Sequence, residues 1–172
     1  MKTDPVSKPG SNLAESAEAS PASGLPLRIK HVLVPLDFSD CSLRALDYAI
    51  AFGEQFHAKL TLLHVVEPVV VPDNYLAAAA ALDETNQSLL EAARERLLAL
   101  CRKRLNHHVA SEVLVRMGRA YSEIPDTAKA LGADLIILGT HGYTGLKHVL
   151  LGSTAERVVR HAACPVLTVR HA

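Results

Sequence analysis

Apolar runs of strand composition alternate with longer segments of helical period from Ile29 to the end of the chain, and few folds accommodate that rhythm. HVLVPLDF (31–38) is β-branched and apolar without polar alternation, which predicts a strand buried on both faces. LRALDYAIAFGEQF (43–56) follows. It places Leu43, Leu46, Ala49 and Ile50 on one helical face, with Gly53 near the helix end. AKLTLLHVV (58–66) reads as a second strand and EPVVVPDN (67–74) as an apolar, proline-punctuated loop. A long helix is expected from about Tyr75 to Arg104. Its signals are the alanine run at 77–81 and the spacing of Leu82, Leu89, Leu90, Leu97 and Leu98. ASEVLVRMG (110–118) is a third strand, and YSEIPDTAKALG (121–132) a helix that admits Pro125 only in its first turn. ADLIILG (133–139) is a fourth strand, STAERVVRHA (153–162) a last helix and CPVLTVRH (164–171) a fifth strand.

Strands that alternate with helices imply an α/β fold: an open parallel five-stranded sheet with helices on both faces. Right-handed crossovers leave few topologies. Flavodoxin-like and Rossmann-like arrangements both reverse chain direction across the sheet at a switch point, and ligands bind outside the carboxyl ends of the strands there. Two loops at such ends stand out. One is PLDFSD (35–40), after the first strand; the other is GTHGYTGLKHVLLGST (139–154), after the fourth. The strand order 3-2-1-4-5 makes those strands neighbours and turns both loops toward one crevice.

At 172 residues the chain suits one domain with a tail. Residues 1–27 are rich in Pro, Ser, Ala and Gly without apolar period, so they bury too little to offset their ordering entropy. They are expected to form a disordered tail ahead of a domain at 28–172. A transit peptide is the alternative, opposed by Asp4, Glu15 and Glu18. Lys+Arg and Asp+Glu total 18 each, so no net charge draws the chain to nucleic acid or an anionic membrane. Aromatic residues at 4% and the absence of Trp oppose a base-stacking platform. No apolar segment approaches membrane-spanning length, and no apolar stretch follows Lys2 and Lys8 to make a secretory signal. Cys41, Cys101 and Cys164 are odd in number and lack metal-ligand spacing, which reads as reduced thiols and a cytoplasmic location.

The glycine-rich loop is neither a Walker A sequence nor a Gly-x-Gly-x-x-Gly fingerprint. Its residues still suit an anion. Gly139 leaves a buried strand where a side chain would block a ligand's approach. Gly142 and Gly145 allow positive φ, so successive N–H groups can form a concave nest. Gly152-Ser153 opens a helix whose first amides and dipole attract negative charge. Lys147 could offset phosphate charge, Asp37 accept from ribose hydroxyls, and the backbone at Val65 read an adenine edge. Structural readings compete at the same residues. Ser153 with Glu156 fits a Ser-x-x-Glu capping box. Asp37, Ser39 or Asp40 could only cap the first helix. Cys41 is either a thiol lowered by the helix dipole or a small buried hydrophobe. The nine histidines show no helix-face metal pair, although His141 and His148 flank the loop. Arg157, Arg160 and His161 make a basic helical face of the solvated kind.

The core from about 29 to 170 resembles the universal stress protein family. HVLVPLDFSDCS is similar to its opening strand and loop, and LTLLHVV to its second strand. Gly139-Thr-His-Gly142, nine residues, then Gly152-Ser153 matches the signature of its ATP-binding members. The resemblance implies a flavodoxin-like, adenine-nucleotide-alpha-hydrolase-like fold that holds ATP. It implies phosphates at Gly139, Gly142, Gly152, Ser153 and Thr154, ribose at Asp37, adenine at the Val65 backbone, and Pro35 and Leu138 packed nearby. It also implies a divalent cation, Mg2+ or Mn2+, on the phosphates, and a homodimer through the last strand. The flat, apolar run at 165–170 supports the dimer independently, since a bare edge strand invites pairing. Three functions follow as rivals: a dimeric stress-response module that signals by its ATP-loaded state, a slow ATPase or autophosphorylating enzyme, or a nucleotide-independent interaction protein that engages an unknown protein partner.

Overall fold

The computed structural model describes residues 27–68, 79–105, 109–141 and 151–170. The element order is β1 (His31–Pro35), α1 (Asp40–Phe56), β2 (Lys59–Val66), α2 (Ala79–Arg104), β3 (Ser111–Met117), α3 (Ala120–Leu131), β4 (Leu135–Gly139), α4 (Ser153–His161) and β5 (Val166–Val169). The five strands form one sheet in the order β3-β2-β1-β4-β5, with every neighbouring pair parallel. The expected tail, apart from Leu27, lies outside the described residues.

Strand composition follows position in the sheet. β1 and β4 are interior and apolar, and all but their first or last residue is buried. The edge strands β3 and β5 are only partly covered. Alternate residues feed two cores. Val32, Val34, Leu60, Leu62 and Ile137 meet Leu46 and Ala49 of α1 and Leu97 of α2 on one face. Leu33, Leu63, Ile136 and Leu138 meet Ile124 and Ala128 of α3 and Val158 of α4 on the other. Helices α1 and α2 therefore cover the sheet as the chain steps from β1 to β3. Helices α3 and α4 cover the opposite face as it steps back through β4 to β5, as right-handed crossovers require. Leu33, Leu46 and Ile136 have no exposed surface, so each contributes about 1.5–3 kcal/mol by burial.

Several local expectations change. The first strand ends at Pro35, because Phe38 takes φ 65, a left-handed conformation that no strand continues. Gly53 does lie near the end of α1, and a Cβ there would stand 2.8 Å from Val109 Cγ1, so it serves close packing. The helix is closed by His57 in the left-handed region. Pro125 lies beyond the first turn of α3, because that helix starts at Ala120. Long α2 buries only Ala93 and Leu97 among its described side chains, and Leu89 is exposed.

At the amino ends of the strands, buried Thr61 joins three strands. Its hydroxyl donates to Glu112 Oε1 at 2.7 Å, so His31 Nε2, also at 2.7 Å, must be the donor to Thr61. Lys59 Nζ meets Glu112 Oε2 at 2.6 Å. No helix among the described residues is long and apolar enough to cross a membrane.

Candidate functional site

β1 and β4 lie side by side where the chain reverses its direction across the sheet, and a cleft opens at their carboxyl ends. Pro35, Leu36 and Asp37 form one wall with Leu63, His64 and Val65. Leu138 and Gly139 lie at the base, followed by Thr140 and His141. Gly152, Ser153, Thr154 and Ala155 form the opposite wall, and Ala120 and Ile124 of α3 close the back. Eight expected site residues thus meet in one cleft: Pro35, Asp37, Val65, Leu138, Gly139, Gly152, Ser153 and Thr154. The other two, Gly142 and Lys147, lie outside the described residues, as do Gly145 and His148.

The α4 wall resolves a choice the sequence left open. Gly152 is the N-cap, with φ −68 and ψ 155, and Ser153 is the first helical residue. Among the described residues no side chain caps this helix. Glu156 pairs with Arg160 at 2.7 Å rather than reaching back, so the expected capping box is not formed. The cause is tertiary: the Gly152 N–H donates to the Thr140 carbonyl at 2.8 Å and fixes the helix start one residue early. The Glu156 N–H makes the first bond of the helix, to Gly152 O at 2.9 Å. The amides of Ser153, Thr154 and Ala155 therefore stand at the positive end of the helix dipole, in residues that line the cleft, without an acceptor inside the helix.

Gly139 lines the cleft and also meets a packing demand that the sequence did not show. A Cβ there would lie 2.9 Å from both the carbonyl carbon and the Sγ of Cys41, so the glycine admits the close approach of α1. Cys41 is buried, and its thiol donates to Val169 O at 3.2 Å. That is the small buried hydrophobe reading. Thr140 beside it is also buried; its N–H donates to Val169 O at 2.8 Å and its Oγ1 lies 2.9 Å from His141 Nδ1.

On the facing wall Asp37 Oδ1 accepts from the Ser39 N–H at 3.0 Å and the Ser39 hydroxyl at 2.6 Å. Ser39 is the N-cap of α1, accepting from the Ser42 N–H at 3.2 Å. Asp37 thus orients the cap while lining the cleft. The ladder between β1 and β2 ends at the Pro35–Leu63 pair, with one further bond from the Leu36 N–H to Leu63 O at 2.8 Å. Beyond it, His64 Nδ1 lies 2.6 Å from the Leu36 carbonyl, and since a carbonyl only accepts, Nδ1 carries the proton. The Phe38 ring stacks at a tilt on His64, centroids 4.8 Å apart, and carries the Arg96 guanidinium 3.9 Å from its centroid.

Sequence reasoning missed His64, Thr140, Ala120 and Ile124 as parts of this cleft. The α3 pair carries no polar motif, and only the sheet order brings it there. Among the described residues no group of three or more His, Cys, Asp or Glu side chains is arranged to hold a metal ion.

The fold and cleft define a doubly wound α/β protein of the flavodoxin-like class, with its ligand crevice at the topological switch. Residues 28–170 match the universal stress protein family. A universal stress protein of Methanocaldococcus jannaschii is 36% identical over 141 residues, 82% of each chain. The solved UspA of Lactobacillus plantarum superposes with a TM-score of 0.74 at 28% identity, over 84% of this chain and 99% of that one. A universal stress protein solved in complex with cAMP superposes with a TM-score of 0.54 at 26% identity, over 84% and 98%. The chain belongs to the universal stress protein family.

Proposed function

We propose that the protein binds an adenine nucleotide, ATP, in this cleft and acts in the stress response as a homodimer that signals by its loaded state. The observation that carries this reading is the start of α4, which no side chain among the described residues caps. Three amides without intrahelical acceptors face the cleft at a positive dipole end, opposite a carboxylate and a strand terminus. The triphosphate would lie against Gly139 and Gly152–Thr154, joined by Gly142 and Lys147 of the intervening segment. Asp37 would accept from the ribose hydroxyls. The Val65 backbone would meet the base edge, with Pro35 and Leu138 packed beside it. The cAMP complex of a related protein supports a cyclic or linear adenine nucleotide as the ligand class. The acids in the described lining reduce to Asp37, so Mg2+ or Mn2+ would travel on the phosphates rather than in a protein cage. The second copy would pair along 165–170, which contains edge strand β5. In this reading the protein works in the cytoplasm.

Mass spectrometry of small molecules released from the denatured, purified protein tests the ligand class. ATP, ADP, AMP or cAMP at near-stoichiometric yield is expected. An unrelated ligand at that yield would overturn the reading.

A further inference from the structure

The β1–β2 pair opens at its carboxyl end, and one side chain accounts for the opening. In a parallel ladder that continued past the Leu36 N–H to Leu63 O bond, the Leu36 carbonyl would accept from the Val65 N–H. Here the Leu36 carbonyl is taken by the His64 imidazole at 2.6 Å. The paired register stops at Pro35–Leu63, although β2 itself continues to Val66 against β3. Alternation along β2 points the Val66 carbonyl at β3, where it accepts from the Gly118 N–H at 3.0 Å. The N–H and C=O of Val65 therefore point the other way, into the gap where β1 has left the sheet. That gap is the cleft, and Val65 lines it.

We propose that His64 is a positioning residue: its Nδ1–H replaces the Val65 amide as donor to Leu36 and holds the β1–β2 fork open, so that Val65 presents a backbone donor and acceptor to the flat polar edge of a nucleobase. The inference rests on the nucleotide reading above and specifies how its base end is built. Phe38 supports the arrangement. Its left-handed φ of 65 carries the chain away from the sheet, and its ring packs on the imidazole it must not displace. The side-chain substitute for a ladder bond and the unpaired strand end both line the cleft, as does Asp37, and the left-handed Phe38 follows Asp37 in the chain.

Two substitutions separate the imidazole's proton from its ring. His64→Phe keeps a ring against Phe38 and loses the donor; His64→Asn loses the ring and keeps an N–H near the Nδ1 position. Hydrogen exchange of the ligand-free protein reads the fork. The Val65 amide should exchange freely in wild type and in His64→Asn. It should become protected by about tenfold or more in His64→Phe, where the vacant Leu36 carbonyl recruits it. Titration calorimetry reads the base end. ATP affinity should fall about tenfold in His64→Phe and stay within about threefold of wild type in His64→Asn, the scale of one hydrogen bond. Affinity for inorganic triphosphate should not change in either. Unchanged Val65 exchange in His64→Phe, with native circular dichroism, overturns the fork whether or not ATP binds. Loss of ATP affinity in His64→Asn with wild-type affinity in His64→Phe overturns the donor role in favour of ring packing. Wild-type protein that binds no ATP overturns the nucleotide reading itself.

Discussion

Gly139 and Ser153 both line the cleft, and the structure assigns them opposite kinds of sensitivity. The Cβ of a Gly139→Ala variant would meet the Cys41 backbone at 2.9 Å, an atom that cannot swing aside. That overpacking should cost about 1–3 kcal/mol in urea unfolding, before any ligand is added. Full stability in the variant would show that α1 does not need the glycine. Ser153 is not an N-cap, so Ser153→Ala should change stability by no more than about 0.5 kcal/mol, against the ~1 kcal/mol that loss of a serine cap costs. Its ATP affinity should fall all the same. A stability loss of cap size with unchanged affinity would return the hydroxyl to a purely structural role.

At the scale of elements, one helix end and one strand junction carry the predictions. The C-cap of α1 is His57, exposed and at φ 53, where a side chain costs what glycine does not. His57→Gly should raise stability by about 0.5–1 kcal/mol in thermal unfolding. A drop would mean that the unfolded chain's gain in freedom wins. At the strand junction, hydrogen bonds from Lys59 and then Thr61 hold the Glu112 carboxyl below its ordinary value of 4.5. The folded value is the lower one, so the tether contributes stability above about pH 4.5 and loses it as pH falls through the folded value. Glu112→Gln should thus unfold more easily than wild type at about pH 7 and match it in acid. The effect should be small, because both side chains of the pair are about two-fifths exposed. The order of strands and helices was legible in the sequence because interior parallel strands must be apolar on both faces, and HVLVP, KLTLLHVV and LIILG say so directly. Helix ends were less legible. Ser-x-x-Glu at 153–156 satisfies the local rule for a cap, but the Gly152–Thr140 bond overrides it from another element. The place of Gly53 near the end of α1 was legible, but its contact with Val109, from another part of the chain, was not.

For the molecule as a whole, the cleft depends on sheet order. The β1 and β4 loops were readable as partners once the order 3-2-1-4-5 was reached. The α3 wall was not, since Ala120 and Ile124 announce nothing until β3 stands beyond β2 and its crossover returns over the sheet. The fork at His64 was hidden for a related reason: it is a ladder bond replaced by a side chain, visible only where the pairing stops. Edge strand β5 carries the proposal for assembly. Sedimentation at micromolar protein should show a dimer, and Leu167→Lys should shift it to monomer; a wild-type monomer would remove the paired-edge account. The central claim is that one nucleotide spans the cleft from the α4 start to the β2 end. Its most direct measurement is a backbone NMR titration with Mg-ATP. The account predicts that the amides of Ser153, Thr154 and Ala155 move together with that of Val65, with one shared dissociation constant, and that inorganic triphosphate moves only the α4 set. Shifts confined to other surfaces, or no saturable shift at Val65 and the α4 start, would contradict it.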